Sequence, residues 1–96
     1  MLNKEKRFYE ILKKYGVKEF WCTPTLNLSD AYPDGEINVN CKKEYVSKLD
    51  VELYKLFNED VEEDSMLDIY VNDFSILTKK HLNIILEGTE LRRVNG

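Results

Sequence analysis

WCTPTLNLSDAYPDGEINVN, residues 21–40, is the stretch whose reading decides the fold. It begins inside an apolar, β-branched and aromatic run, Val17 to Thr23, which reads as a buried strand. Pro24 closes that strand, because proline has no N–H to give to a sheet. Turn formers follow at Asn27, Ser29, Asp30, Pro33, Asp34 and Gly35. From Glu36 to Cys41 the chain alternates, with Ile37, Val39 and Cys41 on one side and Glu36, Asn38 and Asn40 on the other. A strand has a side-chain period of two, so a second strand is expected here with one packed face and one polar face.

Working outward, Phe8, Ile11, Leu12 and Tyr15 fall at i, i+3, i+4 and i+7. This spacing predicts an amphipathic helix from Asn3 to Tyr15, with Asn3 able to cap its start and Gly16 placed to end it. Downstream, Val46, Leu49, Leu53, Leu56 and Phe57 form the stripe of a helix over Tyr45 to Asn58. An acidic loop, Glu59 to Asp64, leads to a third strand, Met66 to Val71, in which Leu67, Ile69 and Val71 alternate with polar residues. Thr78 can cap a last helix through Glu87, with Leu77 and Leu82 as a hydrophobic staple and Gly88 as its stop. Thr89 to Gly96 reads as a short tail. The order is αβ(loop)βαβα, an α/β or α+β domain made of a small mixed sheet with flanking helices.

With 96 residues the chain makes a single domain, 1–96. A domain of this size buries about 60–65% of the surface its unfolded chain exposes, so any site lies on the surface of one modest core. The net charge of −4 conceals an uneven distribution: +3 over residues 1–20, −1 over 21–49, −8 over 50–73 and +2 over 74–96. Such a chain lacks the overall basic field of a nucleic-acid binder, and direct nucleic-acid binding is not expected. Cys22 and Cys41 lack the spacing of a zinc site or redox pair and read as two buried thiols in a reducing cytoplasm. No run of 18 apolar residues suggests a membrane span, so a soluble cytoplasmic protein is expected.

Glu36 and Asn38 stand two apart on one strand, and Asp68 stands on another, all opposite the apolar positions. Carboxylates gathered this way on adjacent strands can hold a metal pair, although strands with one wet face carry such residues routinely. The whole register gives the group more weight. The run from Trp21 to Val39 resembles, without a gap, the signature of the minimal nucleotidyltransferases of the DNA polymerase β superfamily. In that signature a strand leads to Gly-Ser, then after three residues a Gly, then a Pro-Asp turn, then Ser-Asp-x-Asp opening the next strand. Ile11 to Phe20 is similar to the family's first helix and strand, Met66 to Val71 to the strand with its third carboxylate, and Ile85 to Val94 to its closing helix and tail.

The resemblance implies a nucleotidyltransferase-like fold, and it also marks departures. Pro24 and Thr25 stand at the Gly-Ser pair, and Ser29 at the second glycine, so Thr25 and Ser29 are what remains of the nucleotide-binding loop. Proline compromises close phosphate approach, since it has no N–H to donate. The metal-binding aspartates correspond to Glu36 and Asn38, and the third, Asp68, is kept. Asparagine brings no charge to Mg²⁺. Between Lys18 and Lys42 there is no lysine or arginine to neutralise a triphosphate. Phosphoryl-group chemistry depends on positioning and electrostatic stabilisation, and these changes attack both.

The expectation is therefore a catalytically degenerate, antitoxin-like binding or regulatory module whose partner is a basic protein or a HEPN-type toxin subunit, with no cofactor required. One alternative is an active enzyme that transfers AMP to protein or RNA, with Glu36 and Asp68 holding Mg²⁺ and ATP as the cosubstrate. Another is a mobile-element inhibitor whose acidic surface mimics nucleic acid. The candidate partner-binding residues are Glu59, Asp60, Glu62, Glu63 and Asp64, at the centre of the −8 stretch. His81 has no second histidine or nearby cysteine and reads as an ordinary helix residue, and the aromatic residues read as core and rim.

Overall fold

The first helix, α1 (Lys4–Lys14), turns Phe8 and Leu12 inward, and both are completely buried. It ends as its glycine requires. Gly16 takes φ +72°, its N–H donates to the Lys13 carbonyl, and the N–H of Val17 reaches back to the Leu12 carbonyl. This is the Schellman pattern, and its accompanying apolar contact pairs Val17 with Leu12, both in the core. The computed structural model that shows this describes residues 4–30, 32–58 and 66–94.

Among the described residues four strands form one mixed sheet: β1 (Glu19–Cys22), β2 (Gly35–Asn40), β3 (Leu67–Asn72) and β4 (Glu90–Arg93), in the order β3-β2-β1-β4. β1 is antiparallel to β2 and β4, whereas β2 and β3 are parallel. A parallel pair needs a crossover, and α2 (Val46–Asn58) supplies it, entered through a 3₁₀ turn at Lys43–Tyr45. A second 3₁₀ turn, Phe74–Ile76, and α3 (Lys79–Leu86) lead from β3 to β4. The small mixed sheet with flanking helices is thus as the sequence implies, with one addition: the tail holds a fourth strand.

Register assigns the two faces. Phe20 pairs with Val39 and Cys22 with Ile37, while Val39 and Ile37 pair with Val71 and Ile69. This apolar face is covered by α1 and α2. Phe8 meets Phe20 edge-on at 5.1 Å and 86°, and Leu49, Leu53, Leu56 and Phe57 join the same core. The loop between β1 and β2 is less polar in practice than its turn formers imply, because Leu26 and Leu28 insert into that core. Burial of two leucines, at about 1.5–3 kcal/mol each, holds a loop that backbone pairing alone would leave loose.

The opposite face corrects one sequence expectation. Asn38 is 1% exposed and not on a wet surface. It sits between Trp21 on β1 and Tyr70 on β3, and Phe74 from the second 3₁₀ turn packs on Trp21 at 5.4 Å. The Asn40 side chain helps hold that turn by accepting from the Phe74 N–H at 2.8 Å. Among the described residues no helix is long and apolar enough to cross a membrane.

Candidate functional site

Parallel pairing places Glu36 directly opposite Asp68, so the two strands bring both carboxylates to the same face, with Asn38 two residues along. Gly35 shapes the entry to this group. Its φ of +140° strains any larger residue, and the Thr23 side chain, 3.1 Å from where a Cβ would lie, would have to give way by a few tenths of an ångström. Thr23 fastens the corner, since its Oγ1 accepts from the Glu36 N–H at 2.9 Å and its own N–H donates to the Glu36 carbonyl at 3.0 Å.

Within the group, the Asn38 Nδ2 donates to the Glu36 Oε1 at 2.8 Å. That bond commits one carboxylate oxygen and turns the Asn38 Oδ1 the other way, where it is sealed from solvent and has no hydrogen-bond partner among the described residues. Asp68 is exposed. The donor set consists of two carboxylates, one already engaged by an amide, and an amide oxygen that a ligand cannot reach without movement of its neighbours. A hard divalent cation needs several accessible oxygens with geometry near octahedral, and these residues do not offer them. Among the described residues no three His, Cys, Asp or Glu side chains cluster so as to hold a metal ion.

The residues at the expected phosphate loop lie beyond β1. Thr25 is exposed. Ser29 is exposed too, and its Oγ and N–H both donate to the Asn27 Oδ1, at 2.6 and 3.1 Å, in an Asx turn that commits the hydroxyl's proton to Asn27. One cation does approach this loop: Arg92, from the tail, donates through Nη2 to the Pro24 carbonyl at 3.2 Å and pairs with Glu90 at 2.9 Å. In register it lies with Phe20 on the helix-covered face, away from Glu36 and Asp68. The sequence signal that could have found it is the Thr89 to Val94 run, whose β-branched ends flank a pair of arginines.

Glu59, Asp60, Glu62, Glu63 and Asp64, the expected partner-binding residues, lie outside the described residues. Several large apolar side chains stand exposed among those described. Tyr70 and Leu91 share the face of Trp21 and remain 48% and 44% exposed, while Ile76 and Ile84 in the connection to β4 are 71% and 59% exposed. α3 buries none of its residues. His81 is exposed and serves this helix locally: Thr78 Oγ1 accepts from its N–H at 3.2 Å, and its Nδ1 lies 3.0 Å from the same hydroxyl. Cys22 and Cys41 are free and buried, and burial pushes both thiols above the usual range. No protein-family model, curated protein or solved structure matches the chain.

Proposed function

We propose that this chain is a nucleotidyltransferase-like module that has given up chemistry and acts by contact with a protein partner in the cytoplasm, in the manner of an antitoxin for a HEPN-type or other basic toxin subunit. The observation that carries the reading is the Asn38–Glu36 hydrogen bond at the position where the resembling family has its paired aspartates. A neutral, buried amide replaces a charge there and occupies the neighbouring carboxylate. The large apolar side chains Tyr70, Ile76, Ile84 and Leu91, left exposed on β3, β4 and the segment between them, are the surfaces offered to a partner.

Co-expression with the product of an adjacent small helical open reading frame tests this reading directly. A stable complex and relief of toxicity are expected, and Ile84→Asp together with Leu91→Asp should weaken copurification. Failure of the natural chain to copurify would remove the main support. The in-register pairing of Glu36 with Asp68 favours a second reading, retained AMP transfer. Labelled ATP with Mg²⁺ or Mn²⁺ decides it: transfer to a protein or RNA acceptor that is lost in Asp68→Ala would establish an enzyme.

A further inference from the structure

At the other end of β2 the carboxyl ends of the two parallel strands open into a groove of about 830 Å³. This is within the size range of small-molecule sites, and the carboxyl ends of parallel strands are where open α/β sheets gather ligands. Its walls carry Lys14 and Lys18 from the chain around the end of α1, Lys42 and Lys43 from the start of the 3₁₀ turn before α2, and the carboxylates Glu44 and Asp73.

Two of these charges are already committed. Lys14 pairs with Glu52 at 3.0 Å. Asp73 accepts from the Ser75 N–H at 2.9 Å and from its hydroxyl at 2.5 Å. Among the described residues, three lysines without an ion-pair partner therefore face one uncommitted carboxylate. Lys18, Lys42 and Lys43 are all exposed, so their ammonium groups are open to a ligand. Tyr15 and Tyr45, with ring centroids 5.5 Å apart, give the groove an aromatic side.

We infer that this groove binds an oligophosphate anion of small-molecule size, held by Lys18, Lys42 and Lys43. The site is independent of Glu36 and Asp68, from which it is separated by the length of β2, roughly 17 Å at the rise of an extended strand. A small anion fits the charge distribution better than a nucleic acid does. Screening confines fields to about 8 Å at physiological ionic strength, so a ligand inside the groove meets the groove's own charges, in which lysines outnumber carboxylates, and little of the acid elsewhere. A long polyanion would also meet the acid that gives the chain its net charge of −4.

The test is a titration of the ¹⁵N-labelled full chain with inorganic triphosphate, with ATP and with a short single-stranded RNA, at physiological ionic strength. Saturable amide shifts confined to residues 14–18, 40–45 and 73–75 are expected with triphosphate and ATP, weakening about tenfold or more in the Lys42→Ala, Lys43→Ala double variant. Both lysines are exposed, so the variant's thermal unfolding should match the natural chain's and exclude misfolding as the cause. Equal affinity for triphosphate and ATP would assign recognition to the phosphates, and tighter ATP binding would add a nucleoside contact in the groove. The inference is overturned if no saturable shift appears, if the double variant binds unchanged, if the shifts map to Thr25 through Glu36 and vanish in Asp68→Ala, or if RNA binds far more tightly than either small anion.

Discussion

Asn38 concentrates the chemistry of the site in one side chain. Its Nδ2 is satisfied by Glu36, while its Oδ1 is buried without a partner among the described residues, a loss of the order of 1–3 kcal/mol that the surrounding packing offsets. Asn38→Asp exchanges the donor for a second carboxylate beside Glu36. Burial and the adjacent like charge would raise the new group's pKa in the folded state above its unfolded value. The folded protein then binds more protons than the unfolded one between those two values, and the variant loses stability as pH rises through them. Urea unfolding should place it about 3 kcal/mol below the natural chain at pH 7 and closer to it at pH 4. Millimolar Mg²⁺ should recover part of that loss, because three carboxylates would then share the face, and should leave the natural chain unmoved. Stabilisation of the natural chain by Mg²⁺ would contradict a degenerate site. That Asn38 is buried was hidden in the sequence for a physical reason. Alternation tells which residues share a face, but the cover on this face is Phe74, thirty-six residues away and outside any strand, and no local pattern announces it.

Between elements, a polar cluster ties the end of α1 to α2. The Tyr15 hydroxyl donates to the Glu52 carboxylate, which also accepts from Lys14. The hydrogen bond from Tyr15 holds the Glu52 carboxyl below its ordinary range, and the same bond, aided by burial, pushes the Tyr15 phenol up. The lowered Glu52 contributes stability above its unfolded pKa of about 4.3, and this is lost as pH falls through the folded value. The raised Tyr15 contributes below about 10, and this is lost as pH rises through its folded value. Tyr15→Phe should therefore flatten the dependence of the urea midpoint on pH at both the acid and the alkaline end. An unchanged profile would show that the contact contributes nothing in solution. Backbone corners set the elements apart more strongly. Gly16→Ala meets no neighbour and should cost about 1–2 kcal/mol for its left-handed φ alone, whereas Gly35→Ala adds a clash with Thr23 and should cost more, measurable as a larger drop in midpoint. Gly16 was legible as a helix stop because apolar periodicity ends just before it. The role of Gly35 was not, because its constraint comes from Thr23 across the sheet.

For the whole molecule, β2 is an axis with opposite charge at its two ends: Glu36 faces Asp68 at one, and Lys42 and Lys43 line the groove at the other. The alternating and helical patterns made the sheet strands β1 to β3 and all three helices readable, since each has its own apolar period. β4 was missed because Glu90-Leu-Arg-Arg93 has almost none, and its place is decided by β1, some seventy residues earlier. That strand has a definite task. It covers the outer edge of β1, where Phe20 and Trp21 would otherwise offer unpaired N–H and C=O groups beside large apolar side chains, and it presents Glu90 and Arg93 to the outside instead. Charged edge strands resist pairing with other chains, whereas uncovered apolar ones invite it. Val94 adds to the closure by donating its N–H to the Lys18 carbonyl at 2.8 Å and packing against the core. A chain ending at Gly88 should lose these backbone bonds together with the Arg93–Glu19 and Arg92–Pro24 contacts. Its unfolding temperature should fall by several degrees, and it should self-associate with rising concentration in sedimentation experiments, whereas Leu91→Asp in the full chain should not, since it leaves the edge covered. A truncated chain that remained monomeric and equally stable would mean that β4 is an appendage and that β1 is protected in some other way.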